Sequence, residues 1–359
     1  MVPSQLVLVL AVALAGCRGS ATESNPTSGS MPSAPAAQHE PVAATPAQDR
    51  ERVVEALAVI TPESLRRAVA ALASDDKRGR ATPSAELDAA AKWIAGEHDR
   101  IGLAAPPDAP GHLQRFDCSG KGESSNVIGV LQGSDAKLAA QTVIVSAHYD
   151  HLGTRDDGAS GRGVDQPGDT VFNGANDDAS GVAATLAIAE ALAAVKPKRT
   201  VMFIAFCGEE LGLRGSTHWV AHPLVPLDRV VAVVNLEMLG RIDAAHPKRV
   251  WVTGMPLSTM GDRLGAGARE LDVDVVDGSA AGRLEGTLFR QSDNWPFAEQ
   301  GVVAHSLSTG VIDDHYHSVE DEPDTLDYDA MAPLVRAIAF GVYRLAQDDD
   351  VPRWTGDPP

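Results

Sequence analysis

Two adjacent carboxylates, Glu209 and Glu210, follow an apolar run, Val201 to Phe206, and a break at Gly208. The run has the length and residue types of a buried strand. In open α/β sheets, ligands collect where loops leave the carboxyl ends of strands. On its own a glutamate pair there reads as a hydrated turn. Other stretches change that reading. Thr142 to Ala147 is apolar and ends in His148-Tyr149-Asp150-His151, and Val230 to Leu236 ends at Glu237. Asn173 to Gly181 carries Asp177 and Asp178 into an alanine-rich helix, and a late loop holds Asp313-Asp314-His315-Tyr316-His317. Imidazoles and carboxylates delivered at the edges of separate elements are how a metal site is assembled.

Each candidate has a competitor. His148 and Asp150, two apart at a strand end, point the same way. A metal-bound imidazole usually donates its other N–H to a carboxylate, so His148 reads as ligand and Asp150 as its orienting partner. His151 competes, but in an extended chain it faces the opposite side. Helix capping competes for both aspartates, with Asp178 placed near the cap and Asp177 turned to the site. Glu237 lies in Val233-Val234-Asn235-Leu236-Glu237-Met238-Leu239, where a charge is costly to bury unless paired or metal-bound. His317 sits in a segment too polar for a core, with His315 as its rival. The chain has no H-E-x-x-H, no G-x-S-x-G, no Walker loop and no G-x-G-x-x-G after a strand.

The elements that must position these residues follow from hydrophobic spacing. Helical periods run over Glu63–Ser74 and Ala85–Ile101. Leu113–Phe116 and Asn126–Leu131 alternate like strands around the hairpin signal Ser119-Gly120-Lys121-Gly122. Strands and helices then alternate: strand 142–147, helix 179–194, strand 200–206, helix 212–221 and strand 230–236. Strands near 249–253 and 301–307 and helices near 257–270 and 329–346 complete the pattern. This order predicts a mainly parallel sheet covered on both faces, made mixed by the opening hairpin.

Residues 1–17 read as a lipoprotein-type signal peptide. Leu6–Gly16 is too short to span a bilayer, and Leu14-Ala15-Gly16-Cys17 resembles a lipobox, although Met1–Gln5 carries no Lys or Arg. Residues 18–50, rich in Ala, Pro, Ser and Thr, read as a disordered tether. Residues 51–348 read as one large domain, and 349–359 as a C-terminal tail. The expected location is the cell envelope, on the outer membrane facing the periplasm or exterior, with membrane attachment only through a lipidated Cys17. With 49 acidic and 30 basic residues, the net charge of −19 argues against nucleic acid as a partner. Three cysteines are too few for a disulfide scaffold. An oxidising compartment would permit a Cys118–Cys207 bridge, against which the demanding geometry argues.

The ordered series His148-Tyr149-Asp150, Asn176-Asp177-Asp178-Ala179-Ser180-Gly181, Gly208-Glu209-Glu210, Asn235-Leu236-Glu237-Met238 and Tyr316-His317 resembles the co-catalytic di-zinc exopeptidases. That family includes bacterial secreted aminopeptidases, aminopeptidase Y and glutamate carboxypeptidase, and the likeness spans about residues 62–346. It implies a three-layer α/β/α domain with a central mixed sheet, and two Zn2+ per chain. His148, Asp177 and Glu237 would hold one zinc. Asp177 would bridge to a second, held also by Glu210 and His317. Glu237 stands where many members carry Asp. Glu209 would be the base that activates a metal-bridging water, Asp150 the partner of His148, and Tyr316 a donor to the reacting carbonyl oxygen. The implied activity is that of an aminopeptidase acting on peptide substrates. A carboxypeptidase or glutaminyl cyclase on the same fold, and a non-catalytic binding protein, are the alternatives.

Overall fold

The computed structural model describes residues 45–161, 168–278, 288–310 and 312–359. The leader through Cys17, and the tether up to residue 44, lie outside the described residues. The folded body starts earlier than the expected residue 51. Helix α1 (Ala47–Ala56) takes in the end of the stretch read as tether, and Arg50 Nε reaches Glu270 Oε2 at 2.8 Å. Helix α2 (Pro62–Leu72) opens with a capping box in which Thr61 and Ser64 exchange side chain-to-backbone hydrogen bonds. Helix α3 (Ala85–Ile101) begins at Ser84, whose hydroxyl accepts from Leu87 N–H, and stops at Gly102 in the left-handed region.

Among the described residues ten strands follow: β1 (Leu113–Asp117), β2 (Glu123–Leu131), β3 (Thr142–His148), β4 (Gly153–Thr154), β5 (Val171–Phe172), β6 (Thr200–Phe206), β7 (Val230–Leu236), β8 (Arg249–Val252), β9 (Asp274–Asp277) and β10 (Ala304–Ser308). Eight form one sheet in the order β1-β2-β6-β3-β7-β10-β8-β9, while β4 and β5 pair separately. The central four, β6, β3, β7 and β10, run parallel, so all four release their loops at the same edge. The hairpin β1–β2 joins antiparallel to β6, and β8 joins antiparallel to β10, which makes the sheet mixed as expected.

Alternation along the strands feeds two cores. Val143, Val145 and Ala147 on β3, with Val201, Phe203 and Ala205 on β6, face one apolar cluster. That cluster is closed by α4 (Ser180–Val195) and α8 (Tyr328–Gln347). Ile144, Met202, Ile204 and Phe206 face the other side. There they meet Trp219 of α5 (Arg214–Ala221) and Phe297 of α7 (Trp295–Glu299). The helical stretch Ala175–Val195 is long and apolar enough to cross a bilayer, but it is covered by protein. Its apolar character all round is that of a helix buried on every side.

Differences from expectation are local. The helix expected over 257–270 narrows to α6 (Met260–Ala268), flanked by short 3-10 turns. Strand β9 was not foreseen, because four residues with aspartates at both ends carry no clear period. The stretch read as a C-terminal tail is docked: Thr355 N–H donates to Leu257 O at 2.9 Å and Trp354 Nε1 to Gly301 O at 2.8 Å. Cys118 and Cys207 are buried free thiols lying 2.8 Å apart, Sγ to Sγ.

Candidate metal centre

The parallel strands deliver the candidates to one edge. His148 is the last residue of β3, Glu209 and Glu210 follow β6, and Glu237 follows β7. The turn after β6 needs a glycine. Gly208 has φ +69°, and a Cβ there would lie 2.5 Å from Cys118 Sγ.

Asp177 sits at the centre. Its Oδ1 is 3.1 Å from His148 Nε2, which is 3.7 Å from Glu237 Oε2. Its Oδ2 is 3.2 Å from His317 Nε2, which is 3.1 Å from Glu210 Oε2. Two donor sets therefore share one carboxylate. Ligands of a tetrahedral zinc, at bonds of 2.0–2.1 Å, stand about 3.3 Å apart, so the spacings fit. Asp177 Oδ2 and Glu210 Oε1 are buried with no aligned hydrogen-bond donor. Convergence without hydrogen-bond alignment suits atoms that face a shared cation.

Two expectations need correction. His151 does not face away. Its Nδ1 lies 2.9 Å from Glu210 Oε1, both ring nitrogens lack a hydrogen-bond partner, and it forms a possible donor group with Asp177 and Glu210. Strand β3 ends at His148, so the two-residue alternation no longer applies three residues later. Asp150 also acts differently. What meets His148 Nδ1 at 3.1 Å is the Asp150 backbone carbonyl, with carboxylate Oδ1 at 3.7 Å. The carboxylate instead accepts from Glu209 N–H at 3.1 Å and from the Thr82 hydroxyl at 3.1 Å. An imidazole that donates from Nδ1 to that carbonyl presents its Nε2 lone pair to the site.

The remaining candidates lie around this centre. Asp178 Oδ1 accepts from Gly181 N–H at the start of α4 and from Met238 N–H, both at 3.1 Å. His315 stays outside, 3.3 Å from Asp313. Tyr316 stacks on His317 with ring centroids 3.9 Å apart. Residues not foreseen complete the surround. Glu237 Oε1 accepts from Asn235 Nδ2 at 3.2 Å and from the Ser292 hydroxyl. Buried Asp321 accepts from the N–H groups of Asn176 and Asp177 and pairs with Arg241 at 2.8 Å. Asn235 lies two residues before Glu237, inside the quoted Asn235-Leu236-Glu237-Met238 motif. Ser292 and Asp321 lie in polar stretches where nothing marks them out.

Glu209 joins neither donor set but lines the same cavity, of about 290 Å³. Met238, Trp251, Leu288 and Ile312 give that cavity an apolar side, and Tyr316 closes on the polar side. Burial pushes the Glu209 carboxyl well above its usual range. Burial also raises the Tyr316 phenol, which stays protonated. Burial disfavours the charged form of His317, but Asp177 and Glu210 outweigh it and hold the imidazole at about 9. Asp177 is correspondingly held well below the carboxylate range by His148 and His317, against the effect of its own burial.

A sequence model of peptidase family M28 matches residues 126–341. Aminopeptidase YwaD of Bacillus subtilis is 25% identical over 237 residues, covering 64% of this chain and 46% of the relative. A probable zinc metalloprotease of Pyrenophora tritici-repentis is 33% identical over 153 residues, covering 40% of this chain and 33% of the relative. The chain thus spans less than half the length of either relative. The fold is shared with the LapA aminopeptidase of Legionella pneumophila, at TM-score 0.62 and 20% identity, over 88% of this chain and 79% of that one. It is shared too with BSAP, a zinc aminopeptidase from Bacillus subtilis, at TM-score 0.61 and 17% identity, over 81% and 96%. The family match extends over more than half of the sequence, and the chain belongs to peptidase family M28.

Metal ligands must be deprotonated, so a zinc that engages His317 displaces a proton at any pH below about 9. The expected outcome is zinc affinity that rises with pH from 6 to 8, by roughly tenfold per unit for each proton released. Calorimetric titrations in buffers of different ionisation enthalpy measure that release. A pH-independent affinity would contradict the coupling.

Proposed function

We propose that this chain is a zinc-dependent aminopeptidase with two zinc ions. One would be held by His148, Asp177 and Glu237, the other by Asp177, Glu210 and His317. The shared Asp177 carboxylate, with one oxygen in each donor set, supports a pair of metals over a single one. Zinc bound there would supply a Lewis acid for the scissile carbonyl and a water acidified toward neutral pH. Glu209, beside the donor sets but outside them, would serve as the base that accepts a proton from the attacking water and returns it to the leaving amine. The Tyr316 phenol donates to the carbonyl oxygen as negative charge develops on it.

One observation favours an amine-recognising enzyme over a glutamate-directed carboxypeptidase. Among the described residues, the cavity is lined by carboxylates and has no lysine or arginine to hold a substrate carboxylate. Glu209 and Glu237 face the space a substrate ammonium would enter, and the apolar side suits an uncharged side chain.

Amides of leucine or alanine with free amines should be cleaved. Acetylating the amine removes its charge and donors and should cost about 2–5 kcal/mol in kcat/KM, while amidating the C-terminus changes little. Tolerance of acetylation with loss on amidation would select the carboxypeptidase. Glu209→Gln should abolish turnover with zinc content near normal. Loss of zinc instead would exchange the roles of Glu209 and Glu210.

We further propose export and lipid anchoring through Cys17, on the strength of Leu14-Ala15-Gly16-Cys17. Membrane fractionation should retain the wild type and release, or leave unprocessed, Cys17→Ser. A wild type that is wholly soluble and uncleaved before Cys17 removes the anchor.

A further inference from the structure

The segment between α2 and α3 lies outside the residues matched to the family, yet it reaches the back of the metal centre. Arg80 there is completely buried. Buried guanidinium groups are usually paired with carboxylates. The hydrogen bonds of this one go to backbone carbonyls. Nε donates to Tyr149 O at 2.7 Å, Nη1 to Asn173 O at 2.8 Å and Leu72 O at 2.6 Å, and Nη2 to Gly174 O at 3.0 Å.

Those carbonyls are not scattered. Tyr149 lies between His148 and Asp150, and Asn173 and Gly174 lead into Asp177. One planar group therefore clips together the two loops that carry the first donor set's histidine and the shared aspartate. The bond is returned by His151 N–H, which donates to Arg80 O at 3.2 Å. Two residues on, Thr82 donates to the Asp150 carboxylate that also receives Glu209 N–H. The turn is wedged in place. Gly79 has φ +66°, and a Cβ there would lie 2.3 Å from Gly153 O and 2.5 Å from Phe172 O, the residues of β4 and β5.

We propose that Arg80 is a positioning residue for the metal centre, holding the His148 and Asp177 loops at their ligand spacing through their backbone carbonyls. This rests on reading His148 and Asp177 as ligands. A rigid fork is needed, because a lysine ammonium cannot bond four carbonyls in one plane. The guanidinium also sets a positive charge behind the carboxylates. Burial lowers its pKa to about 10, while Asp150, Asp321 and Asp177 act to raise it, so it stays charged at neutral pH.

The test uses the full-length chain as wild type, Arg80→Lys and Arg80→Gln. Zinc affinity is measured by competition with a chromophoric chelator, and the cobalt-substituted proteins are compared by their visible d–d spectra. Both variants should bind zinc about 10- to 100-fold more weakly, the range seen when outer partners of ligands are removed. Their cobalt spectra should shift, and excess zinc should restore folding by mass action. Unchanged zinc affinity and cobalt spectra, whatever happens to Tm, overturn the proposal. Variants that stay unfolded in saturating zinc overturn it as well, because Arg80 would then serve the scaffold alone. A wild type that takes up no zinc removes the ligand reading itself, and the proposal with it.

Discussion

Asp177 offers one carboxylate oxygen to each of two donor sets, and the rest of the site is arranged around that sharing. Concentrating Asp177, Glu209, Glu210 and Glu237 at one strand edge is unfavourable unless charge and hydrogen bonds offset it. The compensation is visible residue by residue. His148 and His317 lie against Asp177, Asn235 and Ser292 donate to Glu237, and backbone N–H of Asn176 and Asp177 is taken up by Asp321. Asp321 in turn is paired with Arg241. Burial works against the charged forms of His148 and His317, but the surrounding carboxylates outweigh it and raise both imidazoles above their usual range.

Topology explains how so many loops reach one point. Four adjacent parallel strands release their carboxyl ends at the same edge, so the ends of β3, β6 and β7, joined by two crossovers, place His148, Glu210 and Glu237 within reach of Asp177. Backbone conformations at the site are unusual. Met238 and His317 both have positive φ, at 53° and 57°, in positions where side chains seldom adopt it. Met238 is tied down by its N–H bond to Asp178, the residue that also receives Gly181 N–H at the head of α4. The helix start and the turn after Glu237 are thereby fixed by one side chain.

Much of this was legible in the sequence because burial and chemistry left separate marks. Strands β3, β6 and β7 are mainly apolar runs since both their faces are covered, and a histidine or glutamate stands at or just after the end of each. His148, Glu210 and Glu237 therefore announced themselves by interrupting hydrophobic stretches. What stayed hidden depends on where the chain turns. The side on which His151 lies follows from β3 stopping at His148, and Asp150 braces Glu209 rather than His148 for the same reason. Arg80, Ser292 and Asp321 act through contacts with residues far away in sequence, and a lone polar residue in a polar stretch carries no such information. The edge strand β9 is too short for alternation to show.

The central claim is that one aspartate serves two metals, and zinc stoichiometry tests it most directly. Wild type, Asp177→Ala, Glu237→Ala and Glu210→Ala would be loaded with zinc, freed of excess, and assayed for metal per folded chain. Wild type should retain about two zincs, each glutamate variant about one, and Asp177→Ala essentially none, as expected of a ligand common to both sets. If Asp177→Ala loses a single zinc while its fold is intact, the two donor sets are independent and the shared-carboxylate account is wrong.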